Sequence, residues 1–326
     1  MMVRKVKKKK SKTRILLSFL LMVVIAVLAC KYIIAPAAQH LFEIYVDDRT
    51  TPIPPSKMEP DPSVSISSDK LYSPNAILLR LKDHAILMQK NSEERIYPAS
   101  LTKMMTAIVA IEKSPDLQGK IKLTDSTFQG LYKTDASMAG FQPGEQVRAI
   151  DLLYGVMLPS GAECCIGLAD QIAGSEQGFV KMMNQKAADL GMKNTHFANA
   201  TGLHNANHYT TVKDLSILLS HALQNDTFRA IFTSSRHSTQ ATSKHPGGIT
   251  FFNTMFEELN HQNITGGEIL GGKTGYTEKA GLCLASLAQV GKQEYILITA
   301  AARGNHKSEQ YNVTDALAVY NSLGKQ

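Results

Sequence analysis

Ser100-Leu101-Thr102-Lys103-Met104-Met105-Thr106-Ala107-Ile108-Val109-Ala110-Ile111 is the stretch around which the rest of the chain must be built. Leu101, Met104, Met105, Ile108, Val109 and Ile111 recur at helical spacing, which predicts a buried helix opening at Ser100. Lys103, three residues on, then shares a face with Ser100. A serine hydroxyl is a poor nucleophile until its proton is removed, and an amine can remove it at neutral pH only when uncharged. The positive partial charge of a helix's first turn disfavours protonation of a lysine placed there. Ser100 is therefore a candidate nucleophile and Lys103 a candidate base, although a serine and lysine at this spacing occur by chance in many chains.

Working outward, 76–81 and 85–88 are apolar runs separated by Lys82-Asp83-His84, and they read as a strand pair. Beyond the central helix the same period recurs over 150–157, 163–172 and 179–190. Residues 210–223 form another helix candidate, opened by a threonine suited to an N-cap. Strand character returns over 281–290 and 294–302, joined by a Gly-Lys-Gln turn, before a last helix over 309–323. Strands at both ends around a helical middle predict one α+β domain: an antiparallel sheet assembled from both termini, with a helical subdomain. There is no internal repeat.

The first part of the chain reads differently. Of the 35 basic residues, eight lie in residues 1–14 with no acid among them, which leaves 27 bases against 28 acids elsewhere. The net charge of +7 thus belongs to the tail. Residues 15–34 are apolar except for Ser18, Cys30 and Lys31, and a run of that length spans roughly 30 Å of hydrocarbon at about 1.5 Å per residue. A spanning segment directly after the basic run argues against a nucleic-acid-binding arm, and the basic flank orients the tail to the cytoplasm. Ala35-Pro36-Ala37 as a cleavage site and Val27-Leu28-Ala29-Cys30 as a lipidation box compete with a retained anchor. Pro36, Pro52, Pro54, Pro55, Pro60 and Pro62 mark an extended spacer. The expected organisation is a basic cytoplasmic tail over 1–14, a transmembrane signal-anchor over 15–34, a linker over 35–68 and a catalytic domain over 69–326. That makes a single-pass protein of the cell membrane with its catalytic domain outside. Four cysteines, two of them adjacent, supply no disulfide framework, and Cys164 and Cys165 read as small buried helix residues.

Two further triplets follow Ser100 and Lys103 in order: Ser160-Gly161-Ala162, and Lys273-Thr274-Gly275 within Gly271-Gly272-Lys273-Thr274-Gly275-Tyr276-Thr277, just before an apolar strand. Glycines there let a strand edge approach a peptide backbone closely. A positive Lys273 would further disfavour a proton on Lys103. Together with Tyr97-Pro98-Ala99, Asp151-Leu152-Leu153, Gly202-Leu203-His204 and His208-Tyr209-Thr210-Thr211, these blocks resemble the serine D-alanyl-D-alanine carboxypeptidases. These are the low-molecular-mass penicillin-binding proteins, with SxxK, SxN and KTG motifs. The resemblance covers about residues 70–326.

The resemblance implies the penicillin-binding/β-lactamase-like transpeptidase fold and an acyl-enzyme on Ser100, formed by attack on the carbonyl between two D-alanines. Lys103 would be the general base and Ser160 would relay a proton to the departing amine. Lys273, Thr274, Gly275 and Tyr276 would bind substrate, with Lys273 and Thr274 at its terminal carboxylate. The Ser100 and Tyr276 N–H groups would form an oxyanion hole. The implied partners are the peptidoglycan stem peptide and β-lactams as covalent inhibitors, with slow hydrolysis of the penicilloyl-enzyme; neither metal nor organic cofactor is implied. The N-terminal span is expected to replace the family's C-terminal amphipathic anchor. Arg303 is the nearest candidate for a further carboxylate-binding arginine.

The pattern breaks at Ala162, where the family has asparagine; either Glu163 or a water substitutes, or the substrate range or rate differs. Three other readings compete. A β-lactamase with this motif set needs a deacylating glutamate with asparagine four residues later, and no glutamate after Ser160 has one. A zinc peptidase could draw on His204, His208, Glu258 and His261, in Asn- and Gly-rich sequence with no convincing third ligand. A non-catalytic penicillin- or peptidoglycan-binding homologue has Ala162 as its support. An endopeptidase acting on cross-links would use the same residues as the carboxypeptidase.

Overall fold

A computed structural model describes residues 58–325 apart from 65, 135 and 260, so the expected tail and span at 1–34 lie outside the described residues. No helix among the described residues is long and apolar enough to cross a membrane.

The predicted strand pair is β1 (Asn75–Arg80) and β2 (Ile86–Lys90), antiparallel to each other. From the other end come β7 (Asn263–Ile264), β8 (Gly267–Thr277), β9 (Gly281–Val290) and β10 (Gln293–Ala302). The six strands form one antiparallel sheet in the order β2-β1-β10-β9-β8-β7, closed between the two ends of the domain by the β1–β10 ladder from Asn75↔Ala300 to Arg80↔Tyr295. Between β2 and β7 the chain contributes all the described helices but the last, two further two-stranded pairs, β3 (Lys120–Lys122) with β4 (Gln146–Arg148) and β5 (Arg236–Ser238) with β6 (Thr250–Phe252), and short connecting turns.

Because side chains alternate across a strand, β1 feeds two cores. Ile77 and Leu79 face the helical layer, whereas Ala76 and Leu78 face the C-terminal helix, α9 (Tyr311–Leu323). Both faces of the central strands are therefore covered. At the centre of the helical layer lies α1 (Thr102–Lys113), buried from Thr102 to Ile111. A helix apolar on all sides has to be surrounded. Around it pack α3 (Ala149–Met157), α4 (Ala162–Ala173), α5 (Glu176–Asp189), α6 (Val212–Ala222) and α7 (Asp226–Phe232), with the short α2 (Asp125–Phe128) against α4. Thr211 is the N-cap of α6, accepting from the Asp214 N–H. Cys164, Cys165 and Cys283 are free and buried, the first two on α4 and the third on β9.

Residues 58–66, read from composition as part of the spacer, lie against β2. Asp61 N–H donates to Ile86 O (3.0 Å), Ile86 N–H to Glu59 O (2.9 Å), and Arg80 pairs with Asp61 at 2.8 Å. Met58 and Ile66 are buried in the two cores. The edge of the sheet is covered in this way, which is how an exposed strand is kept from pairing elsewhere.

The two ends of the domain are also tied by one buried side chain. Asp315 on α9 accepts from the backbone N–H groups of Tyr72 (2.9 Å) and Ser73 (2.8 Å), and Tyr72 stacks on Tyr311. Asp315→Ala would leave two amides without partners at the entry to β1, at a cost of about 1–3 kcal/mol. Urea unfolding should show that loss, with Asp315→Asn falling between the variant and wild type.

Candidate active site

The turn that carries Ser100 is a 3-10 segment, Ala99–Leu101, leading directly into α1. Ala99 has φ +46°, a conformation costly for a residue with a Cβ. The turn is held there from two sides. A Cβ on Gly202 (φ +82°) would stand 2.0 Å from Ala99 O, and one on Gly275 would stand 3.0 Å from Ser100 N. Only glycine permits these approaches.

One turn into α1, Lys103 Nζ donates to Ser100 Oγ at 3.1 Å and to the Thr201 carbonyl at 2.6 Å. Lys103 is 2% exposed, and this burial pushes its pKa below the ordinary lysine value, opposed by the nearby Glu163 carboxyl. Burial is thus the main cause, where the sequence pointed to the helix start and to Lys273. Lys273 is 1% exposed and is pushed well below its ordinary value, by burial first and then by the charge of Lys103. Its Nζ donates to the Thr274 carbonyl at 2.9 Å. A neutral amine 3.1 Å from a hydroxyl is placed to take its proton.

The KTG triplet lies just before the apolar β9, as expected, and is itself part of a strand, β8. Thr274 Oγ1 shares a 2.6 Å hydrogen bond with Thr254 Oγ1, at the start of the short α8 (Thr254–Glu258). Ser160 has φ +67°, and its Oγ is buried without a hydrogen-bond partner among the described residues. Backbone strain of this kind, about 1–3 kcal/mol, concentrates at functional sites.

These pieces meet in a cleft of about 130 Å³, whose walls include Ser100, Ser160, Thr274, Gly275 and Tyr276. A larger cavity, about 730 Å³, shares Thr201 with this neighbourhood but lacks Ser100, Ser160 and Thr274, so its size does not make it the reaction centre. The cleft also takes in Ser137, Thr254 and His306, which the sequence reading missed. Ser137 sits in an irregular loop with no periodicity to single it out, and the Asn253 cap before Thr254 marks only a helix start. Arg303 is exposed and does not line the cleft; His306 does, packed edge-on against Tyr276 at 4.7 Å.

Glu163 does not take the place of the missing asparagine. Its Oε1 is turned to the N–H groups of Ala139 (2.7 Å) and Gly140 (2.9 Å), and the second partner of Lys103 is the Thr201 carbonyl. The histidines have other occupations too. Ala198 N–H donates to His208 Nδ1 (3.1 Å), which leaves the proton on Nε2 to donate to Thr102 Oγ1 (2.8 Å). Burial and nearby positive charge push that imidazole down to about 4, so it is neutral. His204 packs edge-on against Tyr97, and His261 bonds the Asn263 carbonyl. Burial pushes the Cys165 thiol up to about 12 and that of Cys283 up to about 11, which removes them as nucleophiles.

Residues 63–304 match the model of peptidase family S11, D-alanyl-D-alanine carboxypeptidase. The chain belongs to this family. A Bacillus subtilis D-alanyl-D-alanine carboxypeptidase, DacF, is 32% identical over 246 residues, covering 70% of this chain and 57% of the relative. The Escherichia coli enzyme DacA is 32% identical over 232 residues, covering 68% and 54%. The chain thus spans about half the length of these curated relatives. Among solved structures, the Streptomyces DD-transpeptidase superposes with a TM-score of 0.70 at 27% identity, covering 78% of this chain and 98% of that one. A Mycobacterium tuberculosis D-alanyl-D-alanine carboxypeptidase shares the fold at 22% identity, with a TM-score of 0.70 and coverage of 82% and 96%. The fold is the penicillin-binding, DD-peptidase α+β fold that the sequence implied.

Gly275→Ala would press a methyl against the Ser100 amide. Labelling of Ser100 by a fluorescent penicillin is expected to slow on the order of tenfold to a hundredfold; an unchanged rate would mean that the turn has slack.

Proposed function

We propose that the chain is a serine D,D-carboxypeptidase that removes the terminal D-alanine from peptidoglycan pentapeptides through an acyl-enzyme on Ser100. The observation that carries this reading is the buried amine of Lys103, 3.1 Å from Ser100 Oγ at the wall of a cleft bordered by β8. Lys103 takes the hydroxyl proton as Ser100 attacks the carbonyl between the two D-alanines. The oxyanion is met by the N–H groups of Ser100 and Tyr276, each donor contributing about 10²–10³ in rate. Ser160 passes a proton to the departing amine, for which a buried hydroxyl with no protein partner is free. Thr274 binds the terminal carboxylate, with Gly275 and Tyr276 along the same strand, and the bound carboxylate favours the charged form of Lys273, which then supplies positive potential behind it. Water then releases the acyl group. β-Lactams acylate the same serine, and no metal takes part.

The proposed setting is the outer face of the cell membrane, with the tail at 1–14 in the cytoplasm, the anchor at 15–34 and the linker between the anchor and the catalytic domain. Ala162 favours a non-catalytic binder, but the carbonyl of Thr201 already gives Lys103 the second contact an asparagine could offer. Retained turnover is therefore the better-supported reading.

The full-length protein should release D-alanine from a diacetyl-Lys-D-Ala-D-Ala peptide, unaffected by a chelator, and Ser100→Ala should abolish both release and penicillin labelling. Labelling without release would shift the assignment to an endopeptidase or a binder. Lys103 is a base only when neutral, and burial lowers its pKa. Acylation should therefore rise with pH through that lowered value and level off below the range of an ordinary lysine. Lys103→Arg, which cannot lose its proton, should acylate about 10²–10⁴-fold more slowly across the whole range.

A further inference from the structure

The residue after the altered triplet has an environment that the mechanism above does not use. Glu163 is in the first turn of α4 and is fully buried. Its Oε1 gathers the amides of Ala139 and Gly140, and its Oε2 has no partner among the described residues. The loop it holds is joined to the triplet a second time, since Ala162 N–H donates to the Ser137 carbonyl at 2.8 Å. Gly161 N–H donates to the Gly155 carbonyl at 2.8 Å and so closes the turn that carries Ser160. Ser160 itself directly precedes both bonded residues and lies in the left-handed region, and Ser137 emerges from the loop into the same cleft.

A non-glycine residue stays at positive φ only when its surroundings over-determine it. Of the two bonds just after Ser160, the one from Ala162 to Ser137 holds only while the 137–140 loop stays in place, and that loop is fastened by the pair of bonds to Glu163. Burial raises the pKa of this carboxyl and the backbone amides pull it back. A buried acid with two donors on one oxygen is a fixed anchor.

We propose that Glu163 is a positioning residue for acyl transfer: by holding the amides of Ala139 and Gly140 it fixes the loop that locks the Ser160 backbone and presents Ser137 to the cleft. It touches neither Ser100 nor Lys103 by a hydrogen bond and acts through this loop. Its Oε1 is the working atom, so a glutamine, whose amide oxygen accepts the same two bonds, should substitute for it. An aspartate, which keeps the charge but withdraws the oxygen, should not. The proposal rests on the D,D-carboxypeptidase reading for its substrate, but not for its acylation step.

The test compares full-length Glu163→Ala, Glu163→Gln and Glu163→Asp with wild type, with kcat counted per penicillin-labelled molecule so that misfolded protein does not enter. Glu163→Ala should lower kcat about 10- to 100-fold, with KM for diacetyl-Lys-D-Ala-D-Ala nearly unchanged. Glu163→Gln should stay within about threefold of wild type because its oxygen remains an acceptor. Should the alanine variant fail to fold, the order of the other two decides: glutamine above aspartate supports the proposal, and aspartate equal to or above glutamine overturns it. Wild-type kcat in Glu163→Ala, or an effect confined to KM, also overturns it. If wild type is acylated by penicillin yet releases no D-alanine, the carboxypeptidase reading fails on its own. The acylation rates of the three variants then carry the test of Glu163, with the same order expected.

Discussion

A lysine amine kept dry is the constraint on which the rest of the structure depends. Removing an ammonium group from water costs far more than one hydrogen bond returns, so a buried lysine sheds its proton instead. Lys103 meets that condition because α1 is buried from Thr102 to Ile111, covered by the turn before it, by the helices around it and by the loop after α5. An exposed α1 would leave the same serine and lysine at the same spacing with an ordinary, protonated amine. The covering also explains why so much of the chain between the strands is helix: a central helix needs a ring of neighbours, and the sheet can supply only one side.

A buried amine also needs partners for its N–H groups, and the protein supplies them from the backbone. The Thr201 carbonyl receives Lys103 and the Thr274 carbonyl receives Lys273. The loop that brings Thr201 into place has no regular structure of its own, so side chains hold it. Asn199 accepts from the Gly202 amide at 2.7 Å and donates to the Leu203 carbonyl at 2.9 Å. Glu176 accepts from Ala200 N–H at 2.9 Å, and the neutral His208 joins the loop to α1 through Thr102. His208 is buried and Asn199 and Glu176 are partly buried, and hydrogen-bond networks of that kind fix a geometry better than apolar packing does.

The strained residues have a common cause. Ala99 and Ser160 both adopt positive φ, the first next to Ser100 in the chain and the second at the wall of the cleft that Ser100 also lines. In each case neighbouring backbone holds the conformation: Gly202 and Gly275 crowd the Ser100 turn, and the Gly155 and Ser137 carbonyls hold the two residues that follow Ser160. Replacing an amide side chain by the methyl of Ala162 does not disturb this, because Ala162 takes part through its N–H.

Strand pairs, the central helix and the order of the three motifs were legible in the chain, because hydrophobic period and short-range spacing are local properties. The α+β class, the Ser100–Lys103 pairing and the small buried cysteines followed from them. Other features depended on which segments meet. The KTG residues became the middle of a strand through pairing with β9. Residues 58–66 joined the domain despite their prolines because β2 had an open edge. The cause of the Lys103 shift, the role of the Thr201 carbonyl and the turning of Glu163 towards Ala139 and Gly140 were decided by tertiary structure alone. Burial, carbonyl direction and loop contact arise between residues tens of positions apart, and no pattern within a single segment encodes them.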